Sequence, residues 1–179
     1  MNTTEQARIR NLYKYNILDT PPDGSFNKMT QLAAKIFNVP ISIISLVDTE
    51  RIWFKSKYGV DVDQIGRDPG LCASAIMSDD VYIVEDAKND PRTLANPLVA
   101  GDFGLQFYAA APLHTAEGYN LGTFCILDKQ KRFFNSEQKD ILKLFSEMVM
   151  ESLELRLLAH NTLNEMLAKI EVNRNRNIA

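Results

Sequence analysis

The side chains able to do chemistry at neutral pH are few, and the two cysteines come first. Cys72 follows the Pro69-Gly70 turn at the expected start of a short helix. There the backbone dipole would lower a thiol pKa and make it reactive. That suits a redox or covalent role; the alternative is a small buried apolar side chain. Cys125 stands between Phe124 and Ile126 in an apolar strand pattern, where a structural role is expected. With no CxxC pair and no histidine nearby, the two suggest neither a zinc site nor a disulfide framework. Asp86, Asp90, Arg92 and Asn96 crowd one polar segment, EDAKNDPRTLAN. An arginine–carboxylate pair there could tie the loop down or hold a small polar ligand. His114 and His160 have no carboxylate or cysteine at metal spacing. No Ser-His-Asp order, glycine-rich phosphate loop or HExxH occurs either. Hydrolase, kinase and metalloenzyme readings therefore have no residues to stand on, and no cofactor is expected.

These residues sit in a chain of 179 residues, 45% hydrophobic and 24% charged, which suits one globular domain with a full core. A net charge of −3 gives no long-range positive field, so neither nucleic acid nor an anionic membrane surface is an expected partner. No run approaches the roughly 18 apolar residues of a membrane helix, and MNTTEQARIR lacks the apolar segment of a secretory signal. The expected location is the cytoplasm, with both thiols reduced.

The elements that must position these groups follow from periodicity. Ile9, Leu12 and Tyr13 share one face of an opening helix. After the Thr20–Gly24 turn, Ser25 can cap a second helix with Met29, Leu32, Ala33, Ile36 and Phe37 at helical spacing, ending at Asn38. PISIISLVD and RIWFKSKYG read as a β-hairpin around Asp48-Thr49-Glu50. The first strand is apolar on both faces and belongs inside a covered sheet. A polar, turn-rich stretch from Val60 to Gly70 leads to a short helix, LCASAIM, and then a strand, VYIVEDA. The segment KNDPRTLANPLVAGDFG reads as a long ordered loop with at most one helical turn. A second hairpin joins LQFYAAAPLH to YNLGTFCILD, and the run Ala109 to Ala111 leaves room for something bulky against that strand.

The closing helix, capped by Asn135 or Ser136, reads to about Val172, roughly 36 residues or 54 Å long, beyond the width of such a domain. Its stripe Val149, Leu153, Leu157, His160, Leu163, Leu167 and Ile170 has the spacing of a helix-pairing seam; Ile141 to Val149 also fit packing on the domain's own sheet, and the tail is expected to pair with a second chain. The final NRNRNIA reads as a frayed tail.

In order, LDTPPDGSFN, PISIISLVDTERIWFKSKYG, LCASAI, YIVEDAKNDPRTLANPLV, FYAAAPL and GYNLGTFCILD closely resemble a group of GAF domains from bacterial signalling proteins. The resemblance implies an α+β, profilin-like fold: a central antiparallel sheet of five to six strands with the amino- and carboxy-terminal helices packed on one face. It also implies a pocket on the other face, roofed by residues 60–78 and 88–104. Residues 1–158 would form the domain and 159–179 an extension of its signalling helix. The candidate ligand-binding residues are then Trp53, Phe54, Arg67, Cys72, Asp86, Arg92, Asn96 and Tyr108. Trp53 and Phe54 are expected on opposite faces of their strand.

The resemblance implies a non-enzymatic sensor of an unknown small molecule. Such a module would act as a homodimer through its flanking helices on a kinase, cyclase or phosphodiesterase. Two alternatives stay open: a redox sensor or free methionine sulfoxide reductase-like enzyme using Cys72, and a ligand-free dimerisation module whose pocket is filled. Ala73 replaces the histidine that bilin-binding relatives place after their cysteine. Residues 88–107 lack the reactive cysteine of the reductases, and the Asn-Lys-Phe-Asp-Glu signature of the cyclic-nucleotide binders cannot be laid onto the chain.

Overall fold

A computed structural model describes residues 3–176, with side chains through residue 171. Two helices, α1 (Thr3–Lys14) and α2 (Gly24–Ile36), precede the hairpin β1 (Ile41–Val47) and β2 (Arg51–Tyr58). The irregular half follows: β3 (Gln64–Gly66), α3 (Leu71–Ala75), β4 (Tyr82–Val84) and α4 (Pro97–Ala100). A second hairpin, β5 (Phe107–His114) and β6 (Asn120–Asp128), leads into α5 (Ser136–Arg176). The strands form one six-stranded sheet in the order β3-β2-β1-β6-β5-β4, with every pair antiparallel.

The sheet is packed on both faces, so its central strands are apolar on both. In β1, Ile44 and Leu46 face the helices while Ile41, Ile43 and Val47 face the irregular half. In β2, Trp53 joins the helical side and Phe54 the other. The β1–β2 register passes from Ile44↔Ser56 to Ser45↔Phe54, which leaves Lys55 as a bulged residue. Its ammonium turns toward the helices and donates 2.8 Å bonds to Thr20 Oγ1 and Pro21 O, fixing the turn between α1 and α2. On the helical side Phe124 stacks on Phe145 at 5.0 Å between ring centres. Ala109 and Ala111 also lie in this cluster, and the missing bulk on β5 is taken up by α5.

Several boundaries differ from the sequence reading for identifiable reasons. The cap of α2 is Asp23, whose carboxylate accepts from the Ser25 backbone N–H at 2.9 Å, so Ser25 lies inside the helix. Leu32 and Ile36 are about half exposed, so the apolar stripe of α2 is wider than its buried face. Tyr13 is likewise half exposed; its hydroxyl donates to Asp48 at 2.8 Å instead of entering the core. β3 emerges from the polar stretch after Val60, because an edge strand needs backbone partners more than apolar side chains. The strand expected over 81–87 shortens to Tyr82–Val84.

The closing helix shows a larger difference. Asn135 and Gln138 form a reciprocal capping box, each side chain accepting from the other's backbone N–H at 2.9–3.0 Å. The helix is 41 residues long, about 60 Å, and its backbone stays helical through Arg176 where fraying was expected; residues 177–179 lie outside the described residues. Val149, which fits packing on the domain's own sheet, is buried in the core beside Leu142 and Phe145; Leu153 of the expected seam is buried there too and Leu157 is half-buried, while Leu163, Leu167 and Ile170 of that seam stay exposed. Apolar side chains left to solvent are Leu144, Met148 and Leu155 on the side away from the sheet, and Leu158, Leu163, Met166, Leu167 and Ile170 beyond the domain. From Leu158 through residue 171 every side chain is exposed. Among the described residues no helix is long and apolar enough to cross a membrane.

β6 meets β1 with almost no space at Gly122, where a Cβ would lie 1.9 Å from Ser45 O and 2.8 Å from Leu46 Cα, both backbone. Gly122→Ala should therefore cost about 3 kcal/mol of unfolding free energy in urea titrations. Gly24→Ala, at a helix position with nothing within 4 Å, should cost nothing.

Candidate functional site

The face of the sheet away from the long helices is closed by two irregular segments that hold each other. Gly70 caps α3 where a Cβ would meet Ile52 Cδ1 at 2.3 Å and Arg67 O at 2.6 Å, so the turn can lie flat on β2 only with glycine there. Leu71, Cys72 and Ala75 then point down onto Ile52, Phe54 and Tyr108. In the second segment Asn96 caps α4 through the Leu98 N–H, with Pro97 at the first helical position. Its amide nitrogen also donates to Pro69 O at 2.5 Å, joining the two halves of the roof. Arg92 grips Asp90 through Nε and Nη2, donates to Ile83 O at 2.8 Å and lies 4.8 Å above the Tyr82 ring. This is the internal arginine–carboxylate pair that the loop composition suggested. It holds the Asp90 carboxyl below its usual range.

The volume beneath the roof is occupied by protein. Phe54, Leu71, Cys72, Val99, Leu105 and Tyr108 are all buried there. Open space lies instead along the outer side of the roof, in a groove of about 880 Å³ where Arg67, Arg92 and Asn96 converge with Glu5, Glu50 and Asp68. The pocket expected under residues 60–78 and 88–104 is thus displaced outward, because the roof's own apolar side chains fill the interior. Of the eight candidate residues, Arg67, Arg92 and Asn96 share the groove, while Phe54, Cys72 and Tyr108 share the buried layer. Asp86 accepts from Asn89 Nδ2 in a separate shallow hollow, which Arg92 also borders. Trp53 lies on the far side of the sheet, with the Lys55 ammonium 6.0 Å from its ring centre.

Glu5 was missed by sequence reasoning. Its carboxylate accepts from Arg8 at 2.7 and 2.8 Å and from Arg67 Nη1 at 2.7 Å, while Arg67 also donates to Asp48 O at 3.0 Å. The Arg8 hydrogen bonds above all, with those of Arg67 and opposed by partial burial, bring its pKa down to about 2. The i, i+3 spacing of Glu5 and Arg8 was readable; the reach from α1 to the roof was not.

Cys125 was also undervalued, since the fold brings it against Cys72. Both thiols are free and buried. Cys72 accepts a 3.2 Å bond from the Tyr108 hydroxyl, and the Ser45 and Thr123 hydroxyls, 2.9 Å apart, adjoin the pair. The contact with Cys125, helped by these hydroxyls and opposed by burial, draws the Cys72 thiol down. The same contact and burial push Cys125 well up. His114 bonds Asn120 and His160 bonds Asn164, both as structural contacts. Among the described residues no His, Cys, Asp and Glu side chains group as a metal site.

An antiparallel sheet carrying its terminal helices on one face and an interlocked irregular roof on the other is the plan of a sensory input domain. The chain belongs to the GAF domain family, whose model matches residues 21–153. It is 37% identical over 147 residues to a cyclic di-GMP phosphodiesterase of Pseudomonas aeruginosa; the match covers 82% of this chain and a quarter, 25%, of that protein. Among solved structures it is similar to the GAF domain of an Acinetobacter phosphoenolpyruvate-protein phosphotransferase, with TM-score 0.63, 16% identity, and 86% and 95% of the two chains covered. It is also similar to a free methionine-R-sulfoxide reductase of Neisseria meningitidis solved with its substrate, with TM-score 0.63, 13% identity, and 89% and 95% covered. Likeness at that identity shows the shared fold.

The link between α1 and the roof can be read through pH. The Glu5 carboxyl titrates near 4.5 when unperturbed and near 2 in the folded chain, so its stabilisation is full above pH 4.5 and is lost as pH falls toward 2. Glu5→Gln should lower stability by about 1 kcal/mol at pH 7. The variant and parent unfolding curves should converge near pH 2.

Proposed function

We propose that this chain is a regulatory, non-catalytic input module that controls an attached or associated output domain through pairing of two α5 helices. The observation that carries the reading is the apolar surface of the protruding half of α5, where Leu158, Leu163, Met166, Leu167 and Ile170 stay exposed beyond the last core contact at Leu157. An exposed stripe of that length on a helix reaching past the domain finds its natural cover in a second copy. The module thus acts as a homodimer, and the frame of output is the end of α5. The Pseudomonas relative, named as a cyclic di-GMP phosphodiesterase and four times as long as the matched region, favours a phosphodiesterase-type output over a kinase or cyclase.

The input is a small polar molecule in the outer groove, where it would compete with Glu5 for Arg67 or with Asp90 for Arg92. Replacing either contact loosens the roof from α1 or from its own loop, and the ligand's preference for one arrangement sets the size of the shift. The burial of Cys72 on the sheet side of α3 favours this over a reductase, since a substrate as bulky as methionine sulfoxide would have to displace the roof to reach the thiol.

Sedimentation of the full chain should give a dimer, and a chain ending at Leu158 should sediment as a monomer with an unchanged fold by circular dichroism. A full chain that stays monomeric at high micromolar concentration, or a shortened chain that dimerises equally well, would refute the helix-pairing mechanism.

A further inference from the structure

We propose that Cys72 and Cys125 form an oxidisable pair that peroxide-class oxidants close into a disulfide, stapling α3 of the roof to β6 at the middle of the sheet. The inference is independent of ligand binding and of dimerisation. It starts from placement: two thiols distant in sequence, Cys72 on α3 and Cys125 on β6, share one buried layer where α3 packs over β6, among Ile, Leu, Val, Ala, Phe and Tyr side chains. Around them the fold sets a group of hydroxyls. Tyr108 is buried and aims its hydroxyl at Cys72 Sγ from 3.2 Å, and Ser45 and Thr123 complete the surround. Cysteines serving only as apolar filler need no such donors, whereas a sulfur that passes through an anionic state does.

The pair is also asymmetric. Cys72 is 6% exposed and Cys125 1%, so an oxidant arriving through the roof meets Cys72 first. The downward shift of Cys72 and upward shift of Cys125 agree with that order.

The chemistry balances with hydrogen peroxide as the oxidant. The Cys72 thiolate attacks one peroxide oxygen and the O–O bond breaks. The departing hydroxide takes up the thiol's proton as water, leaving a sulfenic acid. Cys125 sulfur then displaces the hydroxyl from Cys72; the S–S bond forms, and the hydroxyl leaves with the Cys125 proton as a second water. Two thiols and one peroxide become one disulfide and two waters, with two electrons passing from sulfur to oxygen. Reduction by a dithiol reverses the linkage. In the oxidised form α3 can no longer lift from the sheet, which fixes the Pro69 wall of the outer groove through Asn96.

The test treats the full chain with graded hydrogen peroxide, then denatures it, alkylates free thiols and records intact mass and peptide maps without reductant. Expected is a single chain lighter by two hydrogen atoms, with neither thiol alkylated, a linked peptide pair containing Cys72 and Cys125, and full recovery with dithiothreitol. Cys125→Ala should stop at an oxygen adduct on Cys72, and Tyr108→Phe should slow linkage roughly tenfold, the worth of one hydrogen bond to a charged sulfur. Met77, 82% exposed, reports oxidant dose in the same spectra. If both thiols remain alkylatable when Met77 is fully oxidised, or if disulfides form only between chains, the proposal is overturned. The parent chain's mass decides this even if a variant misfolds.

Discussion

One sheet must serve two cores, and that demand shapes the rest of the chain. Strands β1, β5 and β6 bury both faces, so each residue along them is committed to the helices or to the roof, and the register cannot slip without exchanging the two sets. The close approach at Gly122 and the bulge at Lys55 are local adjustments to this constraint. The first lets β6 lie directly against β1, and the second turns a lysine inward to hold the turn before α2.

The roof has little regular structure, and its stability comes from being tied at several points. Asn96 binds Pro69, Arg92 binds Asp90 and Ile83, and Arg67 binds Glu5 and Asp48. The last of these crosses from one layer of the domain to the other, since Glu5 belongs to α1 and Arg67 to the roof. A change at the groove therefore has a direct polar route to a terminal helix that does not pass through the apolar core.

Much of this architecture was legible in the sequence. The apolar alternation of Ile41 to Val47, the hairpin turns at Asp48-Thr49-Glu50 and at Gly118, and the Asn135 to Gln138 cap are local signals and were legible, although the cap of α2 falls at Asp23 and not at Ser25. What escaped the reading depends on distance in space. β3 is defined by its backbone partners on β2, the Glu5–Arg67 bond joins residues with no shared periodicity, and Cys72 meets Cys125 only once α3 folds over β6. The stripe of α5 shows the same limit from another side: Val149 and Leu153 have the spacing of a seam, yet spacing alone does not say whether a helix turns that side to its own sheet or to another chain.

The two-sided use of α5 restricts how motion can travel along it. Leu142, Phe145, Val149 and Leu153 key its first half into the sheet, so a screw-like turn of the helix about its axis would drag these side chains out of the core. Sliding along the axis would shift the same side chains across the sheet, whereas bending near Leu157, where the core contacts end, leaves them in place. The freedom left to the protruding segment is thus a tilt, with Leu157 as its fulcrum.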